Sequence, residues 1–396
     1  MSQLQKRIVV RLQQHKKKFG LEHLVDFGLK QLHKLKQQPL EKQLEYVEMT
    51  DKEARDLNRD EKVVQVITAF PTRLIGPLPN ESTTNTPLNT WGLEAIQAQH
   101  SSMTGKSVKV AILDSGIYSQ HQAFQGVQLI QRNFTEEVLH DQSGHGTHCA
   151  GTIFGRDVQG TRIGVAPGIT QAYIGKVIGF DESGSSDALA DALLWAAQQE
   201  VHVISMSIGL DFMSRFQVLS ESLGTEAAVA RTLAEYRDNL YLFENLTQYI
   251  QSYGKFKQPP LIVAAAGNES RRNNFTVDVA PPCLGEGIIS VGAILKNVQG
   301  QYEVAAFSNT QCDVCAPGVD IQSAWTGEPF SLNRQRGTSM AAPHVAGCAA
   351  LWAEYLMQQN KPVNAKTLAT RLHASALSLP HLRFQDIGEG LVQCPA

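Results

Sequence analysis

Acyl transfer through a serine needs a base for its proton, a group to orient that base, and donors for the developing oxyanion. Four residues of suitable type stand where they could be presented: Asp114 in VKVAILDSG, His145 in SGHGTHCAGT, Asn268 in LIVAAAGNES and Ser339 in RGTSMAAPHVAGCAALW. Asp114 ends an apolar run, where a parallel strand delivers a side chain to the carboxyl edge of its sheet. A turn cap is its ordinary alternative. Glycines flank His145, letting the backbone pass tightly, and the residues after it can begin a helix. Ser339 precedes small residues that allow close helix packing, and a helix start favours negative charge. An N-cap is the plainer reading of that serine, and Pro343 is compatible with the helix's first turn. Asn268 follows a buried strand and a glycine, where a turn asparagine is common.

The elements that position these residues read as strands buried on both faces. From Trp91 onward, VKVAILDSG, GVAP, VHVISMSIG, PPLIVAAAGN and GIISVGA alternate with helical segments. That pattern predicts an α/β domain built on a parallel sheet. Between Gly209 and Pro259, Ala230, Leu233, Arg237 and Leu240, then Leu246, Tyr249 and Tyr253, predict one long or two shorter helices.

Residues 1–78 differ in character. Arg7 to Leu12 predicts a strand, and Leu21, Val25, Gly28, Leu32 and Leu35 mark one face of a helix. Leu44 to Met49 predicts a second strand, Thr50 with Glu53 a capping box over TDKEARDLNRD, and Val63 to Phe70 a third strand. This is a small α+β unit. PLPNESTTNTP, at 77–87, follows as an exposed linker and a site open to proteolysis.

A net charge of −3 gives no basic field for nucleic acid. No apolar run approaches the roughly 20 residues of a membrane helix. The amino-terminal apolar stretch is far short of the roughly 7–15 residues of a signal-peptide core. Cys149, Cys283, Cys312, Cys315, Cys348 and Cys394 lack the density of a disulfide scaffold, so free thiols and a cytoplasmic location are expected.

DSG, HGTHCAG, AAAGN and GTSMAAPHVAG resemble, in order, the four signature motifs of the subtilisin-like serine peptidases. The order Asp, His, Ser separates the chain from chymotrypsin-like and α/β-hydrolase sequences. The resemblance spans about residues 88–394, from TPLNTWGLEAIQAQ, like the family's mature amino terminus, to IGEGLV, like its closing turn. It implies a subtilisin-like parallel sheet flanked by helices over 88–396, with a helical insertion at about 210–258. It also implies a propeptide-like domain at 1–78 and a linker at 79–87, near where family members release their propeptide; a fixed accessory domain is the alternative.

By that resemblance the chain is a serine endopeptidase acting on peptides or proteins through an acyl-enzyme, processing its own N-terminal domain, which otherwise acts as an intramolecular inhibitor. Asp114 would orient His145, His145 would take the Ser339 proton, and Asn268 would join the Ser339 N–H at the oxyanion. Ser183 and Gly184, with Ser207, Ile208 and Gly209, match the segments that receive substrate as a strand. Ala265, Ala266 and Gly267 match the far wall of the pocket beside the scissile bond, implying preference for large apolar side chains. Two rivals use the same fold: a transpeptidase or macrocyclase that resolves the acyl-enzyme with an amine, and a non-catalytic binding protein. The intact four positions argue against the second.

The pattern departs from the family in several places. No cofactor is expected, and the family's first calcium site looks lost: His121-Gln122-Ala123-Phe124 offers no carboxylate, and Val158, beside Asp157, stands where an asparagine is usual. His148, three residues after His145, lacks the spacing of a zinc pair. Cys312 and Cys315 form a CxxC without a partner pair; three apart in a strand they face opposite ways, so they read as packing thiols, as do Cys149 and Cys348. Arg271-Arg272 reads as a solvated loop pair. The 210–258 segment reads as decoration or an oligomer contact before a substrate-gating lid.

Overall fold

The computed structural model describes residues 4–13, 41–78, 90–252, 258–282, 285 and 287–396. The N-terminal unit holds β1 (Gln5–Gln13), β2 (Glu41–Met49), α1 (Asp51–Leu57) and β3 (Val63–Thr68). They form an antiparallel sheet of order β2-β1-β3. Alternation along β1 divides its apolar residues: Val9 joins Met49, Ala54, Val63 and Val66 beneath α1, while Ile8 and Val10 face the larger domain's core. The capping box is formed, Glu53 N–H donating to Thr50 Oγ1 at 3.3 Å and Thr50 N–H to Glu53 Oε2 at 2.8 Å. The helix expected over 21–35 lies outside the described residues.

The chain then crosses into the larger domain as β4 (Pro71–Leu74). Then comes the central sheet, whose strands are β5 (Lys109–Asp114), β6 (Gln128–Asn133), β7 (Gln171–Lys176), β9 (Val203–Met206), β11 (Leu261–Ala265), β12 (Ile288–Lys296), β13 (Tyr302–Val304) and β14 (Val314–Pro317). Their order is β13-β12-β11-β9-β5-β7-β6, with β14 also on β12. Every pairing is parallel except β12 with β13. The apolar runs are buried on both faces, as their continuous hydrophobicity requires. Cys312 and Cys315 do fall into different core clusters, as their spacing in an extended segment demands.

Helices α2 (His145–Phe154) and α6 (Thr338–Gln358) pack on each other and bring their first turns together at the carboxyl end of the sheet. Between them in sequence run α3 (Ser186–Gln198), α4 (Phe212–Ser220) and α5 (Thr225–Gln251). The insertion is one short and one long helix, and it packs against the chain's own N-terminal unit: α5 lies on β3, and Asn239 Nδ2 donates to Thr68 O at 2.9 Å. Around that contact, Arg231 bridges Asp51 at 3.1 Å and Glu235 at 2.7 Å, while Arg215 meets Glu235 at 2.6 Å. Buried Arg7 closes the network on Asp51 and Thr68.

Two expectations are corrected. Pro343 lies in the second turn of α6, not the first. Arg272 is no solvated residue: its side chain is 13% exposed and pairs with Asp386 at 2.6 Å. Its remaining donors satisfy the carbonyls of Ala305 and Ser308, the arrangement that permits a cation in a mostly buried place.

Candidate active site

Asp114 is the last residue of β5, and its buried carboxylate faces the first turn of α2. Asp114 Oδ1 lies 2.8 Å from His145 Nδ1 and also accepts the Ser115 N–H at 2.8 Å. Burial opposes a charged imidazole here, but the Asp114 carboxylate outweighs it and holds the His145 pKa well above 6.5.

The glycines of SGHGT serve two separate close approaches. Gly144 has φ +89°, and a Cβ there would lie 2.5 Å from the Trp325 ring. At Gly146 a Cβ would lie 2.2 Å from the Gly116 carbonyl. Asp141, which sequence reading passed over, holds this turn. Its buried carboxylate accepts from Ser115 Oγ (2.9 Å), the N–H groups of Ser143 (3.0 Å), Gly144 (2.9 Å) and Thr147 (2.9 Å), and Thr147 Oγ1 (2.6 Å). Its signal was available, since an aspartate shortly before a helix start is an expected acceptor for unpaired N–H groups.

Ser339 is the second residue of α6. Pro343 has no N–H to offer the carbonyl four residues back, which belongs to Ser339. The Cys149 thiol supplies a partner, its Sγ lying 3.4 Å from Ser339 O. Cys149 therefore does more than pack: it satisfies a carbonyl that the proline leaves open. Burial pushes its own pKa to about 11.

Asn268 is aimed by Thr338, another residue sequence reading missed inside GTS. Asn268 Oδ1 accepts Thr338 N–H and Thr338 Oγ1, both at 2.9 Å. With its oxygen so committed, the amide can present only Nδ2 to the cleft. Ala265 and Ala266, both buried, run into Gly267, whose N–H donates to Thr338 Oγ1 at 3.1 Å.

The remaining expected residues meet along the chain's own segment 70–78. β4 lies between β8 (Ser183–Ser185) and β10 (Ile208–Leu210), antiparallel to both. Thr72 is opposite Gly184; Arg73 is opposite both Ser183 and Gly209; Leu74 is opposite Ile208. The Leu74 N–H donates to Glu182 O and the Ile75 N–H to Ser207 O, each at 2.9 Å. Ser339 Oγ then donates to Ile75 O, Asn268 Nδ2 donates to Gly76 O at 3.0 Å, and the Leu78 N–H donates to Arg336 O at 2.9 Å. His145 Nε2 is buried and has no hydrogen-bond partner among the described residues.

Asp114, His145 and Cys149 place one donor atom each within 4.8 Å of one another, a set zinc could use. The Nδ1–Oδ1 hydrogen bond and the raised thiol pKa fit a base with its orienting carboxylate better. His148 points away, its Nε2 on Ile321 O at 2.9 Å and its pKa driven by burial to about 3. The stretch His121–Phe124 and Val158, expected to lack a calcium site, carry no carboxylate. His121 is committed to Ala123 N–H at 3.0 Å and Ser331 O at 2.7 Å, and Val158 is fully buried.

A parallel α/β sheet that sets an Asp–His pair beside a serine and a side-chain amide defines a serine-peptidase type of site. A model of the subtilase family matches residues 105–386, and the chain belongs to that family. It is a serine endopeptidase. The intracellular serine protease of Paenibacillus polymyxa is 34% identical over 66% of this chain and 71% of its own. Subtilisin Savinase of Lederbergia lenta is 32% identical over 77% of this chain and 97% of its own. The major intracellular serine protease of Bacillus subtilis is 29% identical over 72% of this chain and 81% of its own. No described helix is long and apolar enough to cross a membrane.

Proposed function

We propose that Asp114, His145 and Ser339 hydrolyse peptide bonds through an acyl-enzyme, and that residues 1–78 are its intramolecular inhibitor. His145 takes the Ser339 proton as Oγ attacks and returns it to the leaving amine; Asp114 fixes the ring and supports its charge. Asn268 Nδ2 and the Ser339 N–H receive the oxyanion. Ser183, Gly184, Ser207 and Gly209 hold the substrate backbone as an added strand, with Ile208 beside them.

The observation that carries this reading is the path of residues 70–78 through those same groups. The segment binds as substrate would, yet adjacent carbonyls are shared out: Ile75 O on the nucleophile, Gly76 O on the oxyanion donor. Neither peptide bond has both groups, and the base is idle. Gly76 is followed by Pro77, so the bond beyond it is a tertiary amide with no N–H. Self-processing therefore falls beyond Pro77, in the 79–87 linker. The helices of the insertion seat the inhibitor. Ile75, buried at the site, favours apolar residues at the cut. Calcium at the family's first site is not required, and the relatives named as intracellular favour a cytoplasmic location.

The test is intact mass and amino-terminal sequencing of purified wild type beside Ser339→Ala. Loss of about the first 79–87 residues in wild type alone supports the reading. If both stay whole and wild type cuts no added peptide, the reading fails.

A further inference from the structure

We propose that Glu269 selects substrates carrying arginine or lysine at the third position before the bond attacked, counted back from the residue whose carbonyl meets Ser339. The proposal rests on the reading of residues 71–78 as a substrate-like strand. In that segment, PTRLIGPL, Arg73 is the only charged residue. Ile75 takes the first position, so Arg73 takes the third, opposite Ser183 and Gly209. Its neighbours Thr72, Leu74 and Ile75 are buried, while Arg73 reaches the rim and donates from Nη2 to Glu269 Oε1 at 2.8 Å.

Glu269 is held for this contact. The buried Asn309 donates from Nδ2 to Glu269 Oε2 at 2.8 Å and accepts the Glu269 N–H on Oδ1 at 3.1 Å. One carboxylate oxygen is thus tied to the scaffold, and the other faces the cleft. The residue follows Asn268 directly, so any peptide engaged at the oxyanion donor passes this carboxylate. Arg73 and Glu269 are 48% and 36% exposed, which sets the scale: a screened rim contact, modest in size and sensitive to salt.

The experiment measures kcat/KM of the purified, processed enzyme on peptides sharing an apolar residue at the cut and differing only in arginine, glutamine or glutamate at the third position. Arginine should exceed glutamine by about three- to fivefold at low salt, and glutamate should be the poorest. Glu269→Gln should bring the arginine-to-glutamine ratio close to one, and Glu269→Arg should invert the arginine–glutamate order. A second series varies charge at the first position instead. Indifference at the third position in wild type, an unchanged ratio in both variants, or a Glu269-dependent preference at the first position would each overturn the assignment. If no peptide is cut at all, the peptidase reading falls and this assignment with it.

Discussion

Ser339 Oγ donates its hydrogen bond to the carbonyl of Ile75, while His145 Nε2 lies buried with no partner among the described residues. If Ser339 and His145 act as the proposed nucleophile and base, the proton that must pass between them is here directed at the chain's own backbone. Removing residues 70–78 should free Ser339 Oγ to turn towards His145. On the proposed mechanism, use of these residues awaits departure of this one strand.

Orientation of Asn268 should depend on Thr338. Thr338→Val keeps the shape but deletes the hydroxyl that donates to Asn268 Oδ1 and accepts from Gly267 N–H. Losing that restraint should lower kcat about tenfold with little change in KM, the mark of an interaction felt in the transition state. Asn268→Ala should cost ~10²–10³ in kcat, the magnitude known for the oxyanion asparagine of a subtilisin. Steady-state kinetics on one apolar peptide compares the two. An equal effect on KM would place Thr338 in ground-state binding instead.

The His145–Asp114 pair makes activity depend on pH in a stated direction. The base must be neutral to accept the Ser339 proton, and Asp114 holds the imidazole pKa above 6.5 against burial. Activity should therefore rise through a pKa above the usual imidazole range, and Asp114→Asn should cut kcat about 10⁴-fold, as in a serine protease of another fold. Stability runs the other way. A pKa raised by folding adds stability that is full below the unfolded value and is lost as pH rises through the folded one. In Ser339→Ala, the Tm advantage over the Ser339→Ala, Asp114→Asn double variant should shrink across that same window.

Retention of the N-terminal unit should rest on Asn239 more than on Arg231. Asn239 is fully buried, and its amide satisfies the Thr68 carbonyl, so Asn239→Ala leaves a buried acceptor open at roughly 1–3 kcal/mol. Full-length chain should then show basal activity, or processing, about 5- to 100-fold faster. Arg231→Ala removes a half-exposed pair with Asp51 and should act about fivefold at most, with the effect fading in high salt. Gel-resolved processing at two salt concentrations separates these. A larger, salt-independent effect of Arg231→Ala would show that the ionic network is the true hold.

The strands and the turn before α2 were legible because each announces itself locally: an apolar run, a glycine-flanked histidine. β4 was not. PTRLIGPL has no period and no cap, and it becomes a strand only by pairing with Ser183–Ser185 and Ile208–Leu210, more than a hundred residues away. Arg272 was misread for a similar reason, since its partner Asp386 is remote in sequence. Pro343 was placed one turn early because the Gly-Thr-Ser sequence does not reveal that α6 begins at Thr338. The functions of Asp141 and Thr338 were hidden in plain motifs, for each acts on a neighbour's geometry and neither is a reacting group.

Cys149 ties the two halves of the site through a contact that Pro343 makes necessary. The thiol sits on α2, one turn beyond His145, and lies 3.4 Å from the Ser339 carbonyl that the proline leaves unpaired. Cys149→Ala should lower kcat by a few-fold and reduce Tm, because a buried acceptor loses its donor and a small cavity opens. Cys149→Ser should recover the hydrogen bond and most of kcat. The thiol itself should be inert in the folded protein: burial pushes its pKa to about 11, so little thiolate exists near neutrality. Mass-resolved labelling with iodoacetamide should leave Cys149 unmodified until denaturant is added. Rapid labelling in the native state would mean that the α2–α6 junction opens, and that the Ser339 carbonyl is held by something other than this sulfur.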